Sequence, residues 1–312
     1  MNRTHHNDTI SLIHNPQLLK KLALQYYRAK LGVIALFSKR KAAEIAFRMF
    51  CTPYTKRKRY VVPPIFNNAE KLSFSLTTHH INGFRWTPEK KNGNKVLICH
   101  GFDSYSYRFH EFIQPLLNEG FEVLAFDAPG HGISSGNQIT MPVYQQMIIE
   151  IHKRFGPVNG IMAHSLGGLG AGLAIEKMED HQHKRFVLIS PATESTRAIE
   201  AFFKLVRVSN EVKNEFEKLI MELGGYPSSW YSVSRIMQEI STRTLWIHDE
   251  EDSITPFDDM KHLLEKQLPH IQFEITKGLG HSLYQDKLMA KKIIAFLSVL
   301  KDKSIHINHP AI

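Results

Sequence analysis

The stretch IMAHSLGG, residues 161–168, decides the fold. The run VNGIMA at 158–163 reads as a short buried strand, and LGGLGAGLAI at 166–175 reads as the small-faced start of a helix. Ser165 therefore falls on the turn between them. A residue at such a strand-to-helix apex is forced into a strained backbone conformation, which only small residues two positions either side tolerate. Ala163 and Gly167 are those residues.

Outward from this point, strands and helices alternate. On the N-terminal side, strands are expected at 72–76, 80–86, 95–99 and 121–126, with helices at 108–118 and 142–155. RFVLI at 185–189 is the next strand after the serine. Then, between 191 and 241, the alternation gives way to a helix-like pattern that includes AIEAFFKLV, residues 198–206. This reads as an inserted cap over about residues 192–241. The alternation resumes with TLWI at 244–247, a helix over 257–266, IQFEI at 271–275 and a last helix over 285–300. Such spacing predicts an α/β protein, with a mostly parallel sheet covered by helices on both faces. Chemistry in these sheets gathers at the carboxyl ends of the strands.

Bulk properties agree with one large body. A chain of 312 residues with 43% apolar content buries a sizeable core and excludes a disordered chain. Cys51 and Cys99 lack metal-ligand or redox spacing, and Cys99 closes the apolar run VLIC, so a buried thiol is expected. The net charge of +9 is uneven: residues 1–60 hold 13 Lys and Arg against Asp8 and Glu44, and the remainder is close to neutral. The chain thus divides into a basic helical N-terminal extension at 1–60 and a body at 61–312 that carries the cap.

No apolar run reaches the length of about 18 residues that a membrane span requires. LGVIALF, residues 31–37, lies too far in and lacks a cleavage site for a signal peptide, so the expected location is cytoplasmic, with membrane-peripheral contact as the open variant. Residues 17–49 draw as one or two amphipathic helices rich in Lys and Arg. Two readings stay open for them: an arm packed on the body with its charges solvated, or peripheral contact with anionic membrane through residues 17–59. KRKR at 56–59 is one short basic patch without a reader fold, which argues against nucleic acid.

A serine hydroxyl is a weak nucleophile at neutral pH and needs a base, which in turn needs an orienting group. The base candidate is His281 in KGLGH, in the loop after the 271–275 strand. The acid candidate is Asp252 in HDEED, in the loop after the 244–247 strand. The order Ser165, Asp252, His281 is the one expected for a nucleophile elbow in an open α/β sheet. Two backbone amides must also hold the developing oxyanion. Leu166, just after the serine at a helix N-terminus, supplies one; Phe102 in HGF, after the 95–99 strand, supplies the other.

With these residues in place, residues 94–300 resemble the α/β-hydrolase fold family through CHGF (99–102), FDAPGHGIS (126–134), AHSLGG (163–168), HDEED (248–252) and Gly280-His281. The resemblance implies a serine hydrolase acting on esters or related acyl compounds and needing no cofactor, and the expected activity is that of a carboxylesterase on small or medium acyl esters. Two departures stand out. Ala163 replaces the glycine commonest at that place, and Asp249 stands where many relatives have glycine, which leaves Asp249, Glu250 and Glu251 as rivals to Asp252. Dehalogenase- and epoxide-hydrolase-like chemistry is disfavoured, because those relatives carry aspartate at the elbow. A carbon-carbon bond hydrolase, an acyltransferase, or a non-catalytic binding protein on the same fold remain the alternatives.

Other residues have blander readings. His131 is expected to brace its loop and His164 to pack beside Ser165. His5-His6, His79-His80 and His181-x-His183 lack acidic or cysteine partners at ligand spacing and read as surface histidines. In the cap, Phe202, Phe203, Leu205, Val206, Trp230 and Tyr231 either form an apolar pocket wall or pack the cap onto the sheet. The sequence gives no sign of oligomeric state.

Overall fold

A computed structural model describes residues 16–54 and 61–300. The expectations on His5, His6 and the 56–59 basic patch lie outside the described residues. By chain contacts the protein divides into two units: Thr52–Ser195 with Ser229–Ile312, and Met1–Cys51 with Thr196–Ser228.

The first unit is built on eight strands: β1 (Glu70–Leu76), β2 (His79–Trp86), β3 (Lys95–Cys99), β4 (Glu122–Phe126), β5 (Gly160–His164), β6 (Arg185–Ile189), β7 (Arg243–Asp249) and β8 (Ile271–Thr276). They line up as β1-β2-β4-β3-β5-β6-β7-β8. β1 and β2 pair antiparallel, β2 pairs antiparallel with β4, and every later pairing is parallel. Alternating burial in β1 fits a half-covered edge, whereas β5 is buried at every position, as a strand covered on both faces must be. The parallel α/β sheet expected from the sequence is therefore the sheet observed.

Helices α3 (His110–Asn118), α4 (Met141–Phe155), α5 (Leu166–Ile175), α8 (Val233–Glu239), α9 (Lys261–Lys266) and α10 (Lys287–Ser298) accompany this sheet. Because α5 consists of small residues, its backbone comes close to its neighbours: a Cβ on Gly167 would sit 2.6 Å from the carbonyl oxygens of both Cys99 and His100. That approach seats the serine turn directly beside the end of β3. The Tyr144 hydroxyl on α4 donates to His100 O at 2.7 Å and fixes the same strand end.

The second unit is helical. α1 (Pro16–Phe37) and α2 (Lys39–Phe50) join α6 (Ser195–Val206) and α7 (Asn210–Gly224). Ser38 breaks the first pair by capping α2, its hydroxyl accepting from Lys41 N at 3.1 Å. Leu31, Ala35, Ala42, Ala43 and Ala46 form one buried cluster with Ile199, Phe202, Phe203, Val206, Val212, Phe216 and Leu219. Alanines on α2 leave room for the aromatic rings of α6 and α7, and Phe47 and Phe50 meet the Phe216 ring edge-on. The unit boundary differs from the cap expected over 192–241: α8 belongs with the sheet, where Ile236 reaches Gly172 on α5. Phe202, Phe203 and Val206 lie in the core shared with α1, α2 and α7, not in the packing of a cap onto the sheet that the sequence suggested for them.

Candidate functional site

Ser165 follows β5 directly and caps α5 with φ 54° and ψ −123°. This is left-handed backbone on a non-glycine residue, the strain expected at an elbow. The turn is held by three backbone bonds: Ser165 N donates to Ile189 O, and Gly168 N and Ala192 N donate to Ser165 O, all at 2.9 to 3.0 Å. Ser165 is buried, with 8% of its surface exposed. A Cβ on Gly101 would lie 2.8 Å from Ser165 Cβ, so only glycine lets the loop after β3 pass this close to the elbow.

His281 lies in the loop after β8, and Asp252 in the loop after β7. His281 Nδ1 donates to Asp252 Oδ2 at 2.9 Å. The Asp252 carboxylate is fully engaged: Oδ1 accepts from the Ile254 and Thr255 amides, and Oδ2 also accepts from the Thr255 hydroxyl at 2.8 Å. Burial pushes this carboxyl up, but the His281 hydrogen bond and then the Thr255 amide outweigh it and hold Asp252 below the usual carboxylate range. With Nδ1 committed to the carboxylate, His281 keeps Nε2 as its free basic nitrogen.

The rival acids are otherwise occupied. Asp249 accepts from Glu251 N, Thr276 Oγ1 and Leu279 N, and so ties the β7 and β8 loops together. Glu250 faces Lys277 at 4.0 Å, and Glu251 is exposed. Thr255, which sequence reasoning did not single out, sits at the centre of the arrangement. Its carbonyl accepts from His248 Nε2 at 2.7 Å, and its hydroxyl meets both Asp252 and His281 Nδ1. A hydroxyl three residues beyond a candidate aspartate was the available signal.

Phe102 N–H and Leu166 N–H have no hydrogen-bond acceptor among the described residues. The loops that carry them are rigidly braced. Asp127 accepts from Ser106 N at 2.7 Å and Ile133 N at 2.9 Å, and Ala128 N donates to His100 Nε2. His131 Nδ1 donates to Pro129 O within the Pro-Gly-His-Gly loop, and its ring lies edge-on to Phe102. His164 Nε2 donates to the carbonyl of His281 at 3.0 Å, linking the elbow to the loop of the candidate base. Burial lowers His100 to about 4 and His131 and His164 to about 3, so all three are neutral supports. Among the described residues, no group of His, Cys, Asp and Glu could hold a metal ion. Burial likewise pushes the Cys51 thiol up to about 12, and raises that of Cys99 further.

Comparison with known proteins bears on the fold. The family model described as serine aminopeptidase, S33, matches residues 90–219. A Butyrivibrio proteoclasticus Est1E structure with bound ferulic acid superposes with TM-score 0.58 at 20% identity, covering 72% of this chain and 97% of that one. A Pyrococcus furiosus esterase superposes with TM-score 0.57 at 16% identity, over 81% and 98%. In sequence, a monoacylglycerol lipase of Mycolicibacterium smegmatis is 25% identical over 34% of this chain and 41% of its own length. The chain spans 13% to 61% of the length of the curated relatives it matches. The superpositions show that the chain has the α/β-hydrolase fold.

Proposed function

We propose that this protein is a serine hydrolase of carboxylic esters, a carboxylesterase working through an acyl-enzyme on Ser165. The observation that supports the reading is a left-handed serine whose neighbour His164 bonds the carbonyl of His281, the histidine held by Asp252. His281 Nε2 takes the Ser165 hydroxyl proton as the oxygen attacks the acyl carbon. The Phe102 and Leu166 amides hold the oxyanion, and Asp252 orients the imidazole and stabilises its cation. As the tetrahedral intermediate collapses, His281 returns the proton to the departing alcohol. Water then repeats the sequence on the acyl-enzyme, releasing the acid and Ser165. The names of the esterase and lipase relatives support an ester as substrate.

The test is intact mass after treatment with a fluorophosphonate, on wild type and on Ser165→Ala. One adduct on the wild type alone supports the reading; no adduct on the folded wild type overturns it and brings the binding-protein alternative forward. A panel of p-nitrophenyl esters, thioesters and aminoacyl anilides then separates esterase from peptidase chemistry, the latter favoured by the description of the matching family model. Added acyl acceptors and vinylogous diketones test the acyltransferase and carbon-carbon bond hydrolase alternatives.

A further inference from the structure

α1 carries apolar residues on two faces. Leu31 and Ala35 point into the helical core, while Leu22, Tyr26, Val33 and Phe37 recur four, seven and four residues apart along another stripe. Nothing among the described residues covers that stripe. Leu36 beside it is 79% exposed and Phe37, the last residue of the helix, is 88% exposed. Two large side chains so bare at one corner cost solvation in water and call for a partner.

The charges around them say which partner. Over residues 16–50 there are eight Lys and Arg and a single acid, Glu44. Some of this charge is already used: Arg28 Nε donates to Leu205 O, and Arg40 is held by Glu222, Glu215 and Glu44. Lys30 borders the stripe and lies 5.8 Å from the Tyr26 ring centroid, and Lys39 and Lys41 come just after Ser38 and Arg40, all exposed, Lys41 also standing 3.8 Å from Glu44. Long basic side chains beside bare aliphatic and aromatic ones match a surface with anionic headgroups over an apolar layer. A second copy of the chain would bring the same cations against themselves. No helix among the described residues is long and apolar enough to cross a membrane, so α1 would lie along such a surface.

We propose that the exposed stripe of α1, with the start of α2, docks on an anionic lipid bilayer, Leu36 and Phe37 entering the interface and Lys30, Lys39 and Lys41 meeting the headgroups. The assignment is independent of the catalytic reading. Packing of Leu31 and Ala35 into the helical core leaves the opposite face of α1 for lipid, so the two readings of the basic arm do not exclude one another.

The experiment is vesicle sedimentation of the full chain, with phosphatidylcholine vesicles and with vesicles containing about one-third phosphatidylglycerol. Wild type is expected to sediment with the anionic vesicles only, and less in about 0.5 M salt. Leu36→Ser with Phe37→Ser should lower the partition by about tenfold or more, since each side chain loses its apolar burial. Lys39→Glu with Lys41→Glu gives a second variant that leaves the apolar corner intact, and it should also bind less. Equal binding to neutral vesicles, equal binding by wild type and both variants, or no binding at all would each overturn the proposal. Loss of a wild-type dimer in the double serine variant, seen by light scattering without vesicle binding, would assign the stripe to a second copy instead.

Discussion

His281 Nδ1 and Asp252 Oδ2 lie 2.9 Å apart although the residues are 29 positions apart in the chain. Two consecutive β-strand ends bring them together, and Asp249 ties the two loops by accepting from Leu279 N two residues before the histidine. Replacing Asp252 by Asn leaves a similar shape but forces the imidazole toward the wrong tautomer. On the proposed mechanism, kcat for the best ester falls by about 10³ to 10⁴. Steady-state kinetics with a circular dichroism control check it, and a loss below tenfold would argue against the assigned role.

Thr255→Val removes the hydroxyl that donates to Asp252 Oδ2 but keeps the amides on Oδ1. The loss of a hydrogen bond to a charged group, about 1.5 to 3 kcal/mol, should appear in kcat and in a raised carboxylate pKa. Steady-state kinetics beside a circular dichroism control read the fall in kcat. An unchanged kcat would mean that Thr255 serves only the fold.

The left-handed backbone at Ser165 predicts opposite effects on stability and activity. Ser165→Gly relieves strain at φ 54° and should stabilise the protein by about 1 kcal/mol while abolishing turnover. Chemical denaturation of the glycine and alanine variants makes the comparison, and the glycine variant should be the more stable of the two.

Gly167→Ala must fail for a different reason. The added Cβ would meet two backbone carbonyl oxygens that no rotamer change can move. The expected cost is about 1 to 3 kcal/mol or more, read as a fall in the denaturation midpoint. A neutral substitution would show that α5 is free to shift away from β3.

Three buried histidines set an acid limit. His100, His131 and His164 titrate near 6.5 when unfolded but only at about 4, 3 and 3 when folded. Between those values the unfolded chain binds more protons, so stability is constant above about pH 6.5 and falls as the pH drops below it. Each histidine contributes up to about 1.4 kcal/mol per pH unit in that window. Asp252, held below its ordinary range by His281, adds a further loss at lower pH. Melting temperatures measured from pH 7.5 down to 4.5 should decline steadily, and a flat curve would contradict the burial of neutral imidazoles.

The sheet was legible because its signal is local. Short apolar runs such as VLIC, FEVLAF and RFVLI are what a strand buried on both faces requires, and β3, β4 and β6 fall on them to within a residue or two. Ser165 was legible for the same reason, since an elbow needs small residues at 163 and 167 within one turn. Among the four acidic residues of HDEED, spacing favoured Asp252 but left Asp249, Glu250 and Glu251 as rivals, because pattern does not show which carboxylate faces a loop made 29 residues later. Thr255, which braces Asp252, escaped detection since its partners are set by loop geometry rather than by periodicity.

The N-terminal helices show the division most clearly. Amphipathic spacing and a basic bias were readable in residues 17–49, but the aromatic residues of 198–206 could serve a pocket or a core equally well by pattern. Hydrophobic burial is non-directional: a sequence says that Phe202, Phe203 and Leu31 want to leave water, not which surfaces they will share. Local periodicity and turn sterics thus determined the strands, the helices and the serine turn. The pairing of Asp252 with His281 and of α1 and α2 with α6 and α7 was decided only by tertiary packing, which brings distant segments to common positions.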